Sequence, residues 1–178
     1  MQKNWAIVPP VTLRSELYGG EWQEKYWKNI PGPIYSTNLN MISGLASSEM
    51  REHALCDDHC EFMWRQPSTA PEFERCLSAI ECDEVNSFQV DGNNHWKSQG
   101  VRAWWKQRND LLRWAKYELS ILIPGERYLH GVLIQPDRRP LTEYINFLEK
   151  HAEEYLRSYL FLLDQGREAL VDDKLPEL

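Results

Sequence analysis

The stretch PLTEYINFLEKHAEEYLRSYLFLLDQGREAL, residues 140–170, decides the fold class. Leu141, Tyr144, Ile145, Leu148, Ala152, Tyr155, Leu156, Tyr159 and Leu163 recur at steps of three and four, which stacks them along one side of a helix of about eight turns. A stripe of that width needs a partner surface. Pro140 suits a helix start, and the closing residues DDKLPEL are expected to fray. Working back along the chain, QGVRAWWKQRNDLLRWAKYELSILI (99–123) carries a second stripe: Val101, Trp104, Trp105, Leu111, Leu112, Ala115 and Leu119. Ser98 is placed to cap it and Pro124–Gly125 to end it. Two long amphipathic helices are therefore available to cover each other.

The connecting segments bring a smaller β component. RYLHGVLIQ (127–135) fits a strand better than a short helix, and EVNSFQVDGNNHW (84–96) reads as a strand through Val85, Phe88 and Val90 with a turn at Asp91–Gly92. CEFMWRQP (60–67) reads as a strand stopped by Pro67. TAPEFERCLSAIE (69–81) is a helix with Thr69 as its cap and Phe73, Leu77 and Ile80 on one face. Further upstream, IPGPIYSTN (30–38) cannot be helical, with two prolines and a glycine. EWQEKYWKN (21–29) sets Trp22, Tyr26 and Trp27 on a helical turn, and PPVTLRSELYGG (9–20) forms a short helix ended by Gly19–Gly20. The expectation is an α+β chain: one helix-rich domain over residues 1–178 with a small sheet and a long C-terminal helix.

A chain of 178 residues with 42% hydrophobic and 26% charged residues can bury one proper core. Its eight tryptophans can tighten that core, since each buries a large area. No apolar run approaches the roughly 18 residues of a membrane span, and MQKNWAIVPP lacks the apolar core of a signal peptide. A cytoplasmic location is the expectation, with the four cysteines as free thiols.

Charge is segregated. Residues 46–93 hold 11 acids against 3 bases, a net −8, whereas residues 94–140 hold 4 acids against 9 bases, a net +5. A concentrated acidic block repels nucleic acid and steers a basic protein toward itself. Two clusters stand out as a candidate protein contact: Asp57, Asp58 and Glu61, then Glu81, Asp83 and Glu84. The basic helix residues Arg102, Lys106, Arg108, Arg113 and Lys116 sit in a chain of net charge −7, so no nucleic-acid partner is expected.

Signatures of chemistry are sparse. HALCDDHC (53–60) brings His53, Cys56, His59 and Cys60 together, but a closed zinc site wants two tight ligand pairs. The remaining cysteines, Cys76 and Cys82, are separated by five residues, so no metal and no cofactor are expected. The sequence contains no G-x-S-x-G, no phosphate-binding G-x-x-x-x-G-K-[ST], no G-x-G-x-x-G and no H-E-x-x-H. An enzyme reading has to gather separated residues, with Arg65, Asp91, His95 and Arg102 as the candidates. A deep polar pocket joining those four favours an enzyme; an exposed acidic face favours an inhibitor.

Four phrases, YGGEWQEKYWKNIPGPIY (18–35), MWRQP (63–67), VDGNNHW (90–96) and VRAWW (101–105), resemble in order and spacing a family of small bacterial proteins. Some of its members are carried beside polymorphic or contact-dependent toxins. The matching positions are Gly19, Gly20, Trp22, Tyr26, Trp27, Asn29, Pro31, Gly32, Pro33, Tyr35, Arg65, Gln66, Pro67, Asp91, Gly92, His95, Trp96, Val101, Arg102, Trp104 and Trp105. A ferredoxin label attached to some members does not suit this chain, whose cysteines lack cluster spacing. The resemblance covers about residues 5–114; the loop STNLNMISGLASSEM (36–50) and the helical extension of about 125–178 depart from it. It implies an immunity protein that binds and neutralises a cognate toxin domain, with no catalytic residues to carry over and with the repeated Trp, Gly and Pro positions serving as scaffold.

Overall fold

A computed structural model describes residues 22–38, 42–45, 49–57, 60–122, 127–129, 132–134 and 137–178. Trp22–Glu24 is a single 3-10 turn. Then follow β1 (Tyr35–Ser36), β2 (Ala54–Cys56), β3 (Glu61–Met63), α1 (Ala70–Glu81), β4 (Phe88–Gln89), α2 (Gly92–His95), α3 (Ser98–Lys106) and α4 (Arg108–Ile121). The chain closes with β5 (Arg127–Leu129), β6 (Val132–Ile134), α5 (Arg139–Lys150) and α6 (Ala152–Gln165). The strands form three antiparallel pairs, β1–β4, β2–β3 and β5–β6, rather than one small sheet. Helices dominate, and the class is α+β. The expected helix at 9–20, the Pro124–Gly125 stop, and most of the turn between β5 and β6 lie outside the described residues.

Both long helices are present and both are broken once. The first divides at Gln107 (φ −86°, ψ −3°), whose N–H bonds to Trp104 O and Trp105 O. The second divides at His151 (φ −124°, ψ −26°). Neither break carries a proline or glycine. Their consequence is visible in the packing: α4 lies along α5, and α3 lies along α6. Each broken helix thus runs antiparallel to the other and turns at one residue to follow it. Six of the nine predicted stripe residues, Tyr144, Leu148, Ala152, Tyr155, Leu156 and Tyr159, are at most 2% exposed. Leu141, Ile145 and Leu163 are partly buried, and Phe147, Leu160, Phe161 and Leu162 join the core beside them. Gly166 ends α6 in the left-handed region (φ +67°), with its N–H on Leu162 O, a conformation that favours glycine.

Other caps explain their elements locally. Thr69 Oγ1 accepts the Glu72 N–H at 3.3 Å, as expected for α1. Ser98 is not the cap of α3; Lys97 occupies that position, and Ser98 Oγ donates to Asp164 Oδ1 on α6 at 2.6 Å. The predicted helical turn at Trp22–Trp27 shrinks to the 3-10 turn because Lys25 leaves it to pair with Thr37. Residues 166–178 do not fray as free chain. Arg102 Nε donates to Glu177 O (3.1 Å), and Arg157 donates to Pro176 O (2.9 Å) and Leu175 O (3.2 Å), holding the tail on α3 and α6.

The Pro-Gly-Pro segment is the hub of the fold. Asn29, fully buried, donates from Nδ2 to Tyr26 O and Ser36 O, both at 2.8 Å. Its Oδ1 accepts from Ser36 N–H, Ser36 Oγ and Met63 N–H. Gln66 clamps the other side, taking the Ile34 N–H and donating to Ile30 O and Ile34 O. Gly92 lies flat against this segment: a Cβ there would stand 2.2 Å from Gly32 O, so no other residue fits without moving backbone. Tyr155 of α6 donates to Pro31 O at 2.6 Å, tying the last helix to the same loop.

Candidate functional site

The acidic block divides into carboxylates consumed by the fold and carboxylates open to solvent. Asp57 is buried at its side chain, where Lys28 Nζ and Tyr26 Oη both donate to Oδ2 at 2.5 Å and the Cys60 N–H to Oδ1 at 2.8 Å. Lys28 itself is buried, 3.7 Å from the Trp114 ring centroid. Burial first, then the Asp57 hydrogen bond, push the Tyr26 hydroxyl well above its ordinary pKa. Glu61 is 2% exposed and gathers Ser43 N–H, Ser43 Oγ and Gly44 N–H. Asp83 is 8% exposed and takes Val85 N–H, Ser87 N–H and Ser87 Oγ, turning the chain from α1 into β4. These three cannot present carboxylates to a partner, which corrects the sequence expectation for them. Burying a carboxylate requires such donors, and local N–H groups supply them. Glu81 and Glu84 are exposed; Asp58 lies outside the described residues.

Two other acids stand beside a groove that sequence reading did not find. It has a volume of about 660 Å³ and lies between the outer face of α1 and the side chains of Leu45 and Glu49. Leu45, Pro71 and Ala79 give it an apolar floor, and Glu49, Glu74 and Arg75 stand around them. Glu74, Ser78 and Cys82 fall at steps of four on α1, the spacing that puts side chains on one face. Glu81, one heptad after Glu74, and Glu84 extend the acidic character beyond the helix end. The one legible signal was the exposed face of α1; its partner Leu45 comes from the loop 36–50.

Of the four residues gathered for an enzyme reading, the structure joins two. His95 Nε2 lies 2.9 Å from Asp91 Oδ2, one helical turn apart, and Tyr35 Oη donates to Asp91 Oδ1 at 2.8 Å. A carboxylate only accepts, so Nε2 carries the hydrogen in this bond. Tyr35 was not assigned from sequence, being 56 positions from Asp91. Arg65 belongs elsewhere. Its Nε donates to Glu52 O at 3.2 Å, and it lines a polar pocket of about 290 Å³ with Arg51, Glu52, Arg139 and Glu143. Burial pushes the Glu72 carboxyl up, but the hydrogen bonds from Ser68 N–H and Oγ together with the Arg65 guanidinium 3.9 Å away hold it below its ordinary pKa. Arg102 is engaged with the C-terminal tail.

The HALCDDHC residues serve different neighbours. Cys56 Sγ donates to Asp57 O, Cys60 Sγ approaches Asn38 Oδ1 at 3.4 Å, and Cys76 is buried in the core, where burial pushes its thiol up to about 12. Cys82 is exposed. No metal-ligating group of three forms among the described residues, which do not include His59.

His53 is the buried member with a solution consequence. It is 4% exposed, and its Nδ1 lies 3.3 Å from Arg65 O, an acceptor, so Nδ1 carries the hydrogen. Burial first and the Arg65 guanidinium second push His53 from 6.5 down to about 4. The unfolded chain therefore binds this proton near pH 6.5 while the folded chain refuses it until about pH 4. Stability from this group is complete above pH 6.5 and falls by up to about 3 kcal/mol on the way to pH 4. Urea melts of the wild type and His53→Gln at pH 7 and pH 4.5 check this: the variant should lose less stability on acidification. Equal losses would show that His53 is not the group responsible.

No protein-family model, curated protein or solved structure matches the chain. No helix among the described residues is long and apolar enough to cross a membrane.

Proposed function

We propose that the protein is a cytoplasmic immunity protein that binds and neutralises a toxin domain, and that the groove beside α1 is where it does so. One observation carries this reading: a mostly apolar groove is lined by the exposed Glu49 and Glu74 beside Arg75, with Glu81 and Glu84 exposed beyond it. An apolar floor with charged edges is the layout of a protein contact, in which the centre supplies affinity and the rim supplies steering and selectivity. The complementary partner surface is a basic, amphipathic segment, such as the mouth of a domain that acts on nucleic acid. The resemblance to toxin-associated proteins and the absence of catalytic signatures in the sequence agree with it. The enzyme alternative lacks a joined site: Arg65 lines a different pocket from His95, and Arg102 holds the C-terminal tail.

The test is protection of cells expressing the toxin domain encoded beside this gene, with binding measured on purified proteins. Glu49→Lys combined with Glu74→Lys should leave circular dichroism and melting unchanged, since both side chains are exposed. It should weaken capture roughly ten- to a hundredfold at low salt, mainly through slower association. Full protection by the folded double variant would remove the groove from the interface. Turnover of a small molecule without binding to any such toxin would remove the immunity reading altogether.

A further inference from the structure

We propose that the cleft between the Trp22–Trp27 segment and α2–α3 is a binding site for a nucleoside monophosphate. The proposal is independent of the toxin-binding groove and rests on different residues. The cleft encloses about 380 Å³, the scale of one nucleotide, and its principal walls are Trp22, Lys25, Trp27, His95, Trp96 and Trp104. No acidic residue lines it among the described residues, although the chain as a whole carries −7.

The polar side chains on these walls are cationic at Lys25 and Lys97 and neutral at Gln107. Trp96 and Trp104 are 5% and 4% exposed, and the indole N–H of each is buried without an acceptor among the described residues. Both indole nitrogens are themselves closed to solvent, so these two rings serve the cleft as packed walls. Lys25 sits over two rings, 5.3 Å from the Trp22 centroid and 4.8 Å from Trp96, and no carboxylate among the described residues pairs with it. Burial holds its ammonium below the ordinary lysine range, a penalty that a phosphate beside it would relieve. Lys97 adds a second ammonium at the edge.

The remaining walls are flat. Trp22 stacks on His95 (5.0 Å, 15°) and meets Trp96 edge-on (5.1 Å, 84°), while Asp91 fixes the imidazole from behind. Trp27, in contrast, is 43% exposed, an unusual state for so large an apolar side chain. A stacked base covers such a ring whatever its sequence identity. Base and phosphate are thus matched by different walls, the exposed Trp27 ring and the Lys25 ammonium. A long nucleic acid fits less well, because two cationic side chains in a chain of net charge −7 do not make an extended phosphate track.

The test is titration of the full-length protein with AMP, followed by tryptophan fluorescence and calorimetry. Saturable one-to-one binding with a dissociation constant below about 1 mM is expected. Lys25→Met keeps the stem over the rings and should weaken AMP roughly tenfold while leaving adenosine binding unchanged. Trp27→Ala should weaken AMP and adenosine alike, and Trp27→Phe should restore most of the affinity. Inorganic phosphate should compete only weakly. The proposal is overturned by any of four results: no saturable response to AMP at about 5 mM, unchanged affinity in folded Lys25→Met and Trp27→Ala, phosphate competing as well as AMP, or an oligoadenylate or an Asp-rich peptide binding more tightly than AMP.

Discussion

A chain ending at Pro140 will not reach the native state. Such a truncation removes Tyr144, Phe147, Leu148, Tyr155, Leu156, Tyr159 and Leu160, each at most 3% exposed. At about 1.5–3 kcal/mol for each large apolar side chain, their burial matches or exceeds the ~5–15 kcal/mol by which a whole domain is stable. The loss is also specific. Tyr144 packs edge-on against Phe62, Trp64 and Trp114, so the β2–β3 pair and α4 lose the same wall. Tyr155 takes with it the hydrogen bond to Pro31 O. The 1–140 fragment should bind a hydrophobic dye, melt without cooperativity and aggregate, whereas the full chain should melt in a single transition. A monomeric, cooperatively melting fragment would show that α5 and α6 are an appendage.

How far the sequence carried can be judged from particular residues. Helical stripes are legible because period and burial are the same fact, so Tyr144 and Tyr159 could be placed in the core before any coordinate was known. The breaks at Gln107 and His151 were not, since neither residue is a helix breaker; the bends answer to α3–α6 and α4–α5 packing. The acidic block was legible as a count but not as a surface. Asp57, Glu61 and Asp83 are drawn inward by the N–H, O–H and ammonium donors that the fold brings to them, whereas Glu81 and Glu84 stay exposed. Asp83 did carry a local signal, because aspartate commonly takes the N–H two residues on and so nucleates a turn. Asp91 and His95 were legible as an i, i+4 pair. Their companion Tyr35, like the Leu45 side of the α1 groove, reaches its place only through tertiary structure.

Asn29→Ala should be among the most damaging single substitutions in the chain, at about 3–5 kcal/mol. The side chain removed is fully buried and makes five hydrogen bonds, two donated and three accepted. Tyr26 O keeps the Asn29 N–H and Ser36 O keeps the Tyr26 N–H, so the carbonyls lose only a second partner. The Ser36 and Met63 N–H groups fare worse, losing the acceptor that binds β1 and β3 together, and a buried donor left unsatisfied costs about 1–3 kcal/mol. Asn29→Asp separates this account from simple loss of volume. The carboxylate still accepts from Ser36 and Met63, but its second oxygen now faces Tyr26 O and Ser36 O with no hydrogen to offer. Ionised, it repels both; protonated, it can donate to one of them. Its folded pKa must therefore lie above its unfolded value, so the new carboxyl contributes stability as pH falls from 7 toward 5. His53 is present in both proteins and costs stability over the same range, so the variant should lose less on acidification than the wild type. Chemical denaturation of the three proteins at pH 7 and pH 5 gives the comparison, and an Asn29→Asp variant that weakens on acidification as much as the wild type does would refute the assigned hydrogen-bond roles.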